Sequence, residues 1–161
     1  MEKLLIALDD TPGSLKSIHY LIRLHLDTAD LRLCLYHVLP SESPNLLRGE
    51  EVRRIEALQL EHPDLSGYFW NRTEEDKMNR AFETATRLLT ENGFKHQQIE
   101  THFTVRSSNV AELIISKAAR LKCGTIVLGR RGLGAVKGFF LGSVSTDVAK
   151  MAKEMTVWIV D

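Results

Sequence analysis

The feature that most constrains the fold of this chain is a regular alternation between short apolar runs and segments with helical spacing. Five short runs stand out, at residues 3–8, 31–39, 99–105, 125–128 and 156–160. Most of them are apolar nearly throughout, which is typical of strands buried on both faces of a parallel sheet. Because helices connect parallel strands, the alternation predicts a single α/β domain whose sheet is covered by helices on both faces.

The helical segments carry their own start and stop signals. Thr11 before a proline predicts an N-cap, and Thr73 with Asp76 predicts a capping box for a later helix. Gly93 predicts a left-handed helix end, and the last helix is expected to begin at about Ser143.

One stretch does not follow the alternation. Residues 41–72 have only a weak helical pattern and contain an aromatic cluster at 68–70, namely Tyr68, Phe69 and Trp70. This cluster is compatible with a lid over a ligand, with a partner surface, or with packing of a long connection onto the core. The chain lacks repeats and low-complexity tracts. We therefore expect one domain over 1–161, with 41–72 as a long connecting segment.

The segment that carries the chemistry follows the fourth apolar run. Residues 128–145 have the sequence LGRRGLGAVKGFFLGSVS. Glycines let backbone N–H groups approach a bulky anion, and a helix that begins at Gly142 or Ser143 would offer an anion site at its N-terminus. Ligands of open parallel sheets bind beyond the carboxyl ends of the strands. The segment therefore predicts a phosphate site, with Arg130 and Arg131 as nearby cations.

Two well-known phosphate motifs do not fit this segment. A P-loop needs Gly-Lys-Ser/Thr after its second glycine, whereas Gly134 is followed by Ala135 and Val136. A dinucleotide fingerprint needs the spacing GxGxxG after the first strand. Here Gly132 and Gly134 meet the next glycine, Gly138, one residue late and after the fourth strand.

The spacing that does match is G-x2-G-x9-G-[ST], formed by Gly129, Gly132, Gly142 and Ser143. With this motif, and with an opening run that ends in Asp9, nearly the whole chain resembles the universal stress protein family, in the branch that binds ATP. The resemblance implies an adenine nucleotide alpha hydrolase-like fold: a five-stranded parallel sheet of order 3-2-1-4-5 with its switch point between strands one and four.

The resemblance also implies a binding site. Asp9 would lie near the adenosine, and Ala7 and Val38 would line the adenine pocket. Ribose and phosphates would be held by two segments, with the residues Gly129, Arg130, Arg131, Gly132, Gly142, Ser143, Val144 and Ser145. The ligand would be ATP, or AMP or ADP. Whether Mg²⁺ takes part stays open, because the phosphates would supply most of its ligands.

A second copy of the chain is a further expected partner. The last run, Thr156–Val160, is apolar on both faces, and an uncovered edge strand of this kind invites association. Members of the family that the chain resembles pair this strand, antiparallel, with the same strand of a second copy. We therefore expect a homodimer.

Composition excludes several other classes. Lys plus Arg and Asp plus Glu each number 21, so the formal net charge is zero, which argues against a nucleic-acid binder. We find neither a signal peptide nor an apolar stretch of the roughly 18 residues that a membrane span needs. The expectation is a cytoplasmic protein without membrane or nucleic-acid contacts.

The cysteines and histidines indicate no metal site. Two cysteines, Cys34 and Cys123, lie in or near apolar runs, and the six histidines are scattered without ligand spacing. Buried free thiols are the interpretation we favour, and no metal site made of protein ligands alone is expected.

Three functional hypotheses remain. The leading one is a nucleotide-binding regulatory or sensing protein of the stress response, because the loop has no catalytic constellation beside it. The second is a slow Mg-dependent ATPase or phosphotransferase, for which Asp9, Asp10 and His37 are the candidate groups. The third is a dimeric scaffold that binds no nucleotide.

Overall fold

The structure is a computed structural model that describes residues 2–9, 11, 13–24, 28–41, 49–61, 70–130 and 141–161. The strands in this part of the chain are β1 (Glu2–Ala7), β2 (Leu31–Leu39), β3 (Ile99–Val105), β4 (Thr125–Gly129) and β5 (Thr156–Val160). The α-helices are α1 (Leu15–Arg23), α2 (Gly49–Glu61), α3 (Arg72–Glu91), α4 (Val110–Arg120) and α5 (Ser143–Met151). None of these helices has the length and apolar character that would let it cross a membrane.

The five strands form one parallel sheet of order β3-β2-β1-β4-β5, as the resemblance implied. Strand order reverses at β1, which pairs with β2 on one side and with β4 on the other. The carboxyl ends of β1 and β4 therefore lie at the switch point of the sheet, the position where such sheets bind ligands. The order also leaves β3 and β5 as the sheet edges.

Side chains alternate along the buried strands and build two cores. Leu4 and Ile6 of β1 face a core with α1 and α3, whereas Leu5 between them faces a core with α4 and α5. All three side chains are buried. A strand buried on both faces cannot show polar alternation, which is why the apolar runs identified the central strands in the sequence.

Helix starts differ from the sequence prediction at two places. The residue at the N-cap position of α1 is Ser14, not Thr11. The reason is a tight turn after β1, in which Asp9 Oδ1 accepts from the Thr11 N–H at 3.0 Å and from the Thr11 hydroxyl. Ser14 Oγ donates to the Asp9 carbonyl at 2.7 Å and delays the helix further. The prediction of Thr11 as the cap is therefore wrong.

The start of α3 also lies earlier than predicted, because Asn71 caps it. Its side chain accepts from the Thr73 N–H at 2.8 Å, so Thr73 is inside the helix. At the other end, Gly93 has a φ of 97°, which confirms the predicted left-handed stop.

Trp70 anchors the long connection to the core. Tyr68 and Phe69 lie outside the described residues. The Trp70 ring is 1% exposed and meets Phe103 of β3 edge to face, with ring centroids 5.6 Å apart. Its Nε1 donates to Glu75 Oε2 at 3.0 Å. Of the three interpretations of the aromatic cluster, Trp70 therefore supports packing onto the core.

Replacing this anchor tests how much the connection contributes to stability. Trp70→Ala removes a fully buried indole and is expected to lower the free energy of unfolding by about 3–5 kcal/mol. Arg72→Ala is a control that changes an exposed residue at the start of α3. Its free energy of unfolding should stay within about 0.5 kcal/mol of the parent value. Urea unfolding followed by circular dichroism measures both, and equal midpoints for the two variants would contradict the assignment.

Candidate functional site

A cavity of about 370 Å³ opens at the carboxyl ends of β1, β2 and β4. It has the size of a small-molecule site. Its lining residues are Ala7, Leu8, Asp9, Ser14, Tyr36, His37, Val38, Arg106, Val110, Ile114, Leu128, Gly129, Gly142, Ser143, Val144 and Ser145. We call this cavity the switch-point cleft.

Most of the residues predicted from the sequence meet in this cleft. Those that line it are Ala7, Asp9, Val38, Gly129, Gly142, Ser143, Val144 and Ser145. Arg130 belongs to the described residues but does not line the cleft. Arg131 and Gly132 lie outside the described part of the chain, so their predicted role stays a prediction.

Strand register brings these distant residues together. Ala7 of β1 is level with Tyr36 on one side and with Leu128 on the other. The ladder continues one step past β1, where the Leu8 N–H donates to the Tyr36 carbonyl at 2.9 Å. Because the three strands run parallel, their carboxyl ends lie at the same edge of the sheet, and Asp9 and Gly129 face the same opening.

The N-terminus of α5 is held against the end of β4. The Gly142 N–H donates to the Arg130 carbonyl at 2.9 Å, and Ser145 Oγ donates to the Gly129 carbonyl at 2.8 Å. No described side chain caps this helix. The first N–H groups of a helix have no intrahelical acceptor, so those of Ser143 and Val144 are donors for an anion in the cleft.

The two serines of α5 have different roles. Ser145 is buried, and its hydroxyl proton goes to Gly129 rather than to a ligand. Ser143 lies two residues earlier, at the first position of the helix, and its side chain is exposed. Of the two hydroxyls that the sequence suggested as phosphate donors, the Ser143 hydroxyl is therefore the one that remains available to a ligand.

The Asp9 carboxylate and the His37 imidazole at the cleft both form hydrogen bonds with the backbone. Asp9 Oδ1 accepts from the Thr11 N–H in the turn after β1. His37 is buried, and its Nδ1 lies 2.7 Å from the Leu8 carbonyl, which assigns the proton to that nitrogen. These contacts fix the orientation of both groups at the cleft wall.

Among the described residues, the cation that lines the cleft is Arg106 and not Arg130. Arg130 points toward the chain end, where its Nε lies 2.8 Å from Asp161 Oδ1. Arg106 lines the cleft instead, at the end of β3, where its N–H donates to the Leu39 carbonyl at 2.8 Å. The rule that ligands bind at carboxyl ends of strands could have identified Arg106, since it directly follows a predicted strand.

A second polar cluster lies on the sheet face below α4. Cys34 and Cys123 are buried and free, as predicted, and their sulfur atoms are 3.9 Å apart. Glu100 Oε2 accepts from Lys3 Nζ at 3.1 Å and lies 3.3 Å from His102 Nε2. We call Cys34, Glu100, His102 and Cys123 the thiol cluster.

Contacts within the thiol cluster shift its ionisation. The hydrogen bond from Lys3 holds the pKa of Glu100 below its usual range, although partial burial opposes this. Burial lowers the pKa of His102, and the bond to Glu100 only partly offsets it. The contact with Cys123, together with burial, raises the pKa of the Cys34 thiol. At neutral pH the cluster therefore contains a carboxylate and a neutral imidazole.

The model of the Universal stress protein family matches residues 1–160 of the chain. No curated protein matches it. Among solved structures, universal stress protein UspA from Lactobacillus plantarum is 12% identical with a TM-score of 0.69, covering 99% of this chain and 97% of that one.

Two further similar structures contain nucleotides. The universal stress protein from Archaeoglobus fulgidus in complex with dAMP is 17% identical, with a TM-score of 0.59 and coverage of 100% of this chain and 98% of that chain. A universal stress protein family protein from Arabidopsis thaliana with AMP bound is also 17% identical, with a TM-score of 0.63 and coverage of 99% and 91%. At these identities the structures support the fold.

The tie between α5 and β4 can be tested apart from any ligand. Ser145→Ala leaves the Gly129 carbonyl without its side-chain donor and should lower the free energy of unfolding by about 1–3 kcal/mol. Ser143→Ala, an exposed change two residues away, should leave stability within about 0.5 kcal/mol of the parent. Thermal and urea unfolding check both variants. A Ser145→Ala protein as stable as Ser143→Ala would show that the tie contributes nothing.

Proposed function

The chain belongs to the universal stress protein family, and from this membership we propose that it binds an adenine nucleotide in the switch-point cleft. In this proposal the protein is a regulatory or sensing component of the stress response. The observation that carries the proposal is the uncapped N-terminus of α5, which is held against the open ends of β1 and β4.

Phosphate groups are assigned to the helix end of the cleft. The N–H groups of Ser143 and Val144 and the Ser143 hydroxyl supply neutral donors there. The positive end of the helix dipole favours a negative ligand at the same point. Arg106 is the cation among the described lining residues, and we assign to it a charge-assisted contact with the nucleotide.

Adenine is assigned to the apolar part of the wall. Ala7, Val38, Val110 and Leu128 line the cleft between the ends of the strands and the start of α4. A flat aromatic base buries its faces well between such side chains, whereas a free phosphate would gain nothing from them. The combination of an apolar wall with an anion site at its end fits a nucleotide better than an inorganic anion.

The ribose is assigned to Asp9. Oδ1 is occupied by the turn to Thr11, so Oδ2 is the atom proposed to accept from a ribose hydroxyl. Arg130 could join the phosphates only by leaving its ion pair with Asp161. Arg131 and Gly132 remain proposed phosphate contacts, on the spacing of the glycine motif alone.

The nucleotides reported with similar proteins support this class of ligand. The Archaeoglobus fulgidus structure contains dAMP and the Arabidopsis thaliana structure contains AMP. We propose ATP, AMP or ADP as the ligand of this chain, with any Mg²⁺ held mainly by the phosphates. A cytoplasmic location, without membrane or nucleic-acid contacts, is proposed on the sequence alone.

Equilibrium binding of ATP, AMP and ADP by calorimetry tests the assignment. The parent protein should bind at least one of them, and Ser143→Ala should weaken binding about tenfold, because it removes one hydrogen bond to a charged group. Val38→Trp should abolish binding by filling the space of the base. Ser116→Ala, an exposed serine change on α4, is the matched control and should bind as the parent does.

The same samples separate the alternatives. Binding without phosphate release supports the regulatory hypothesis, whereas release that disappears in Asp9→Ala would replace it with slow hydrolysis. Absence of binding at millimolar nucleotide, with unchanged circular dichroism, would refute nucleotide binding and leave the dimeric scaffold. Loss of affinity in Ser116→Ala equal to that in Ser143→Ala would refute the assigned phosphate contact.

We also propose that the protein is a homodimer joined through β5. This strand is a sheet edge, and its Val157, Trp158 and Ile159 are only half-buried. Trp158 meets Tyr20 of α1 edge to face, so the uncovered apolar surface of the strand lies mainly at Ile159. Backbone pairing of two such edges would cover it.

A charge on this edge should break the pairing. Ile159→Lys is expected to convert a dimer into a monomer in sedimentation or light-scattering measurements, because lysine on an edge strand opposes strand addition. Thr101→Lys places the same charge on the exposed opposite edge, β3, and should leave the mass unchanged. A parent protein that is monomeric at micromolar concentration, or an Ile159→Lys protein that stays dimeric, contradicts the proposal.

A further inference from the structure

Three side chains with metal-ligating atoms converge in the thiol cluster, outside the switch-point cleft, and Cys123 lies beside one of them, Cys34. Cys34 of β2 is level with Glu100 of β3 in the parallel ladder, and His102 stands two residues along on the same face. Cys123 enters from the start of β4. We propose that this cluster is a zinc site.

Two of the separations between ligand atoms are close to those of a tetrahedral site. With Zn–S near 2.3 Å and Zn–N or Zn–O near 2.0–2.2 Å, tetrahedral angles require ligand atoms roughly 3.4–3.8 Å apart. Cys34 Sγ lies 3.9 Å from Glu100 Oε2, and Glu100 Oε2 lies 3.3 Å from His102 Nε2. The ligand atoms of these three residues all lie within 4.8 Å of one another.

Cys123 is the proposed fourth ligand. Its sulfur lies 3.9 Å from Cys34 Sγ, close to the separation of two thiolates on one zinc ion. Two sulfurs, one imidazole nitrogen and one carboxylate oxygen suit the borderline-soft Zn²⁺, whereas Mg²⁺ and Ca²⁺ require oxygen ligands.

Charge balance and access also fit a divalent ion. Two thiolates and one carboxylate carry three negative charges, which Zn²⁺ and the ammonium of Lys3 neutralise together. Lys3 Nζ is 3.1 Å from Glu100 Oε2 and can keep contact with the carboxylate as an outer partner. The sulfurs are buried, while 42% of the Glu100 and 28% of the His102 side chain is exposed. An ion therefore reaches the thiols from the β3 side.

Lys117 of α4 is another cation beside the site. Its Nζ lies 5.7 Å from the centroid of the Tyr36 ring, a cation–π position that gives its charge a partner. Tyr36 occupies the position between Cys34 and Val38 on the same face of β2. It thus separates the thiol cluster from the adenine wall of the cleft, so the two sites are distinct.

Binding must release protons. Zn²⁺ replaces the protons of the Cys34 and Cys123 thiols and takes the lone pair of neutral His102, while Glu100 is already ionised. Up to two protons therefore leave for each ion bound, and no oxidant or reductant takes part. Affinity must rise with pH accordingly.

Cobalt reports the ligand set directly. Fully reduced protein is titrated with Co²⁺, and we expect one equivalent to give the intense visible bands of tetrahedral cobalt with thiolate-to-cobalt charge transfer in the near ultraviolet. One equivalent of Zn²⁺ should remove both. Calorimetry of Zn²⁺ binding in buffers of different ionisation enthalpy should give up to about two protons released per ion.

Variants identify the ligands. Cys34→Ser and Cys123→Ser should each weaken the charge-transfer band, and the double change should abolish it. His102→Ala and Glu100→Gln alter partly exposed side chains, so they are expected to fold and to lose at least tenfold in Zn²⁺ affinity. His96→Ala, an exposed histidine outside the cluster, is the control and should bind as the parent does.

Several results would overturn the zinc site. These are absence of Co²⁺ or Zn²⁺ binding, bands without charge transfer, and equal affinity in His96→Ala and His102→Ala. Formation of a Cys34–Cys123 disulfide in the presence of excess Zn²⁺ would also overturn it. Nucleotide affinity of the cleft variants is measured separately. A negative result for one proposed site therefore does not refute the other.

Discussion

The parallel pairing of β1 with both β2 and β4 is the constraint on which the rest of the structure depends. Its backbone ladder sets Ala7 level with Tyr36 and Leu128, and it brings the carboxyl ends of the three strands to one edge of the sheet. A change of register by one residue would turn every side chain of β1 to the opposite face. The two cores, the crevice and the direction of Asp9 are therefore consequences of a single register.

The switch-point cleft is completed by hydrogen bonds between α5 and the end of β4, and not by strand pairing. Gly142 and Ser145 bind carbonyls of Arg130 and Gly129, so the N-terminus of α5 is fixed beside the end of β4 without a cap of its own. Gly142 at the N-cap position supplies no side-chain acceptor, which costs roughly a few tenths of a kcal/mol relative to serine, threonine, asparagine or aspartate. A bound phosphate would accept hydrogen bonds from the N–H groups at this helix end. The proposed ligand would therefore supply the acceptor that the N-cap residue lacks.

One strand serves both proposed sites. Cys34, Tyr36 and Val38 alternate along β2 on the face that α4 covers, and they lead from the thiol cluster to the wall of the cleft. Tyr36 stands between the two, beneath Lys117. Any movement of β2 against α4 would displace residues of both the thiol cluster and the switch-point cleft, because closely packed interiors transmit small displacements.

Local and short-range features of this protein were determined by its sequence. Continuous apolar runs specify buried strands, helical spacing specifies the helices between them, and the glycine motif with Asp9 indicates where a nucleotide would lie, because these signals act over a few residues. Tertiary structure alone decided that Arg130 turns to Asp161 and away from the cleft. It alone brought Cys34, Glu100, His102 and Cys123 together. These contacts depend on strand register and on the chain end, which join residues too distant in sequence for any local pattern to record.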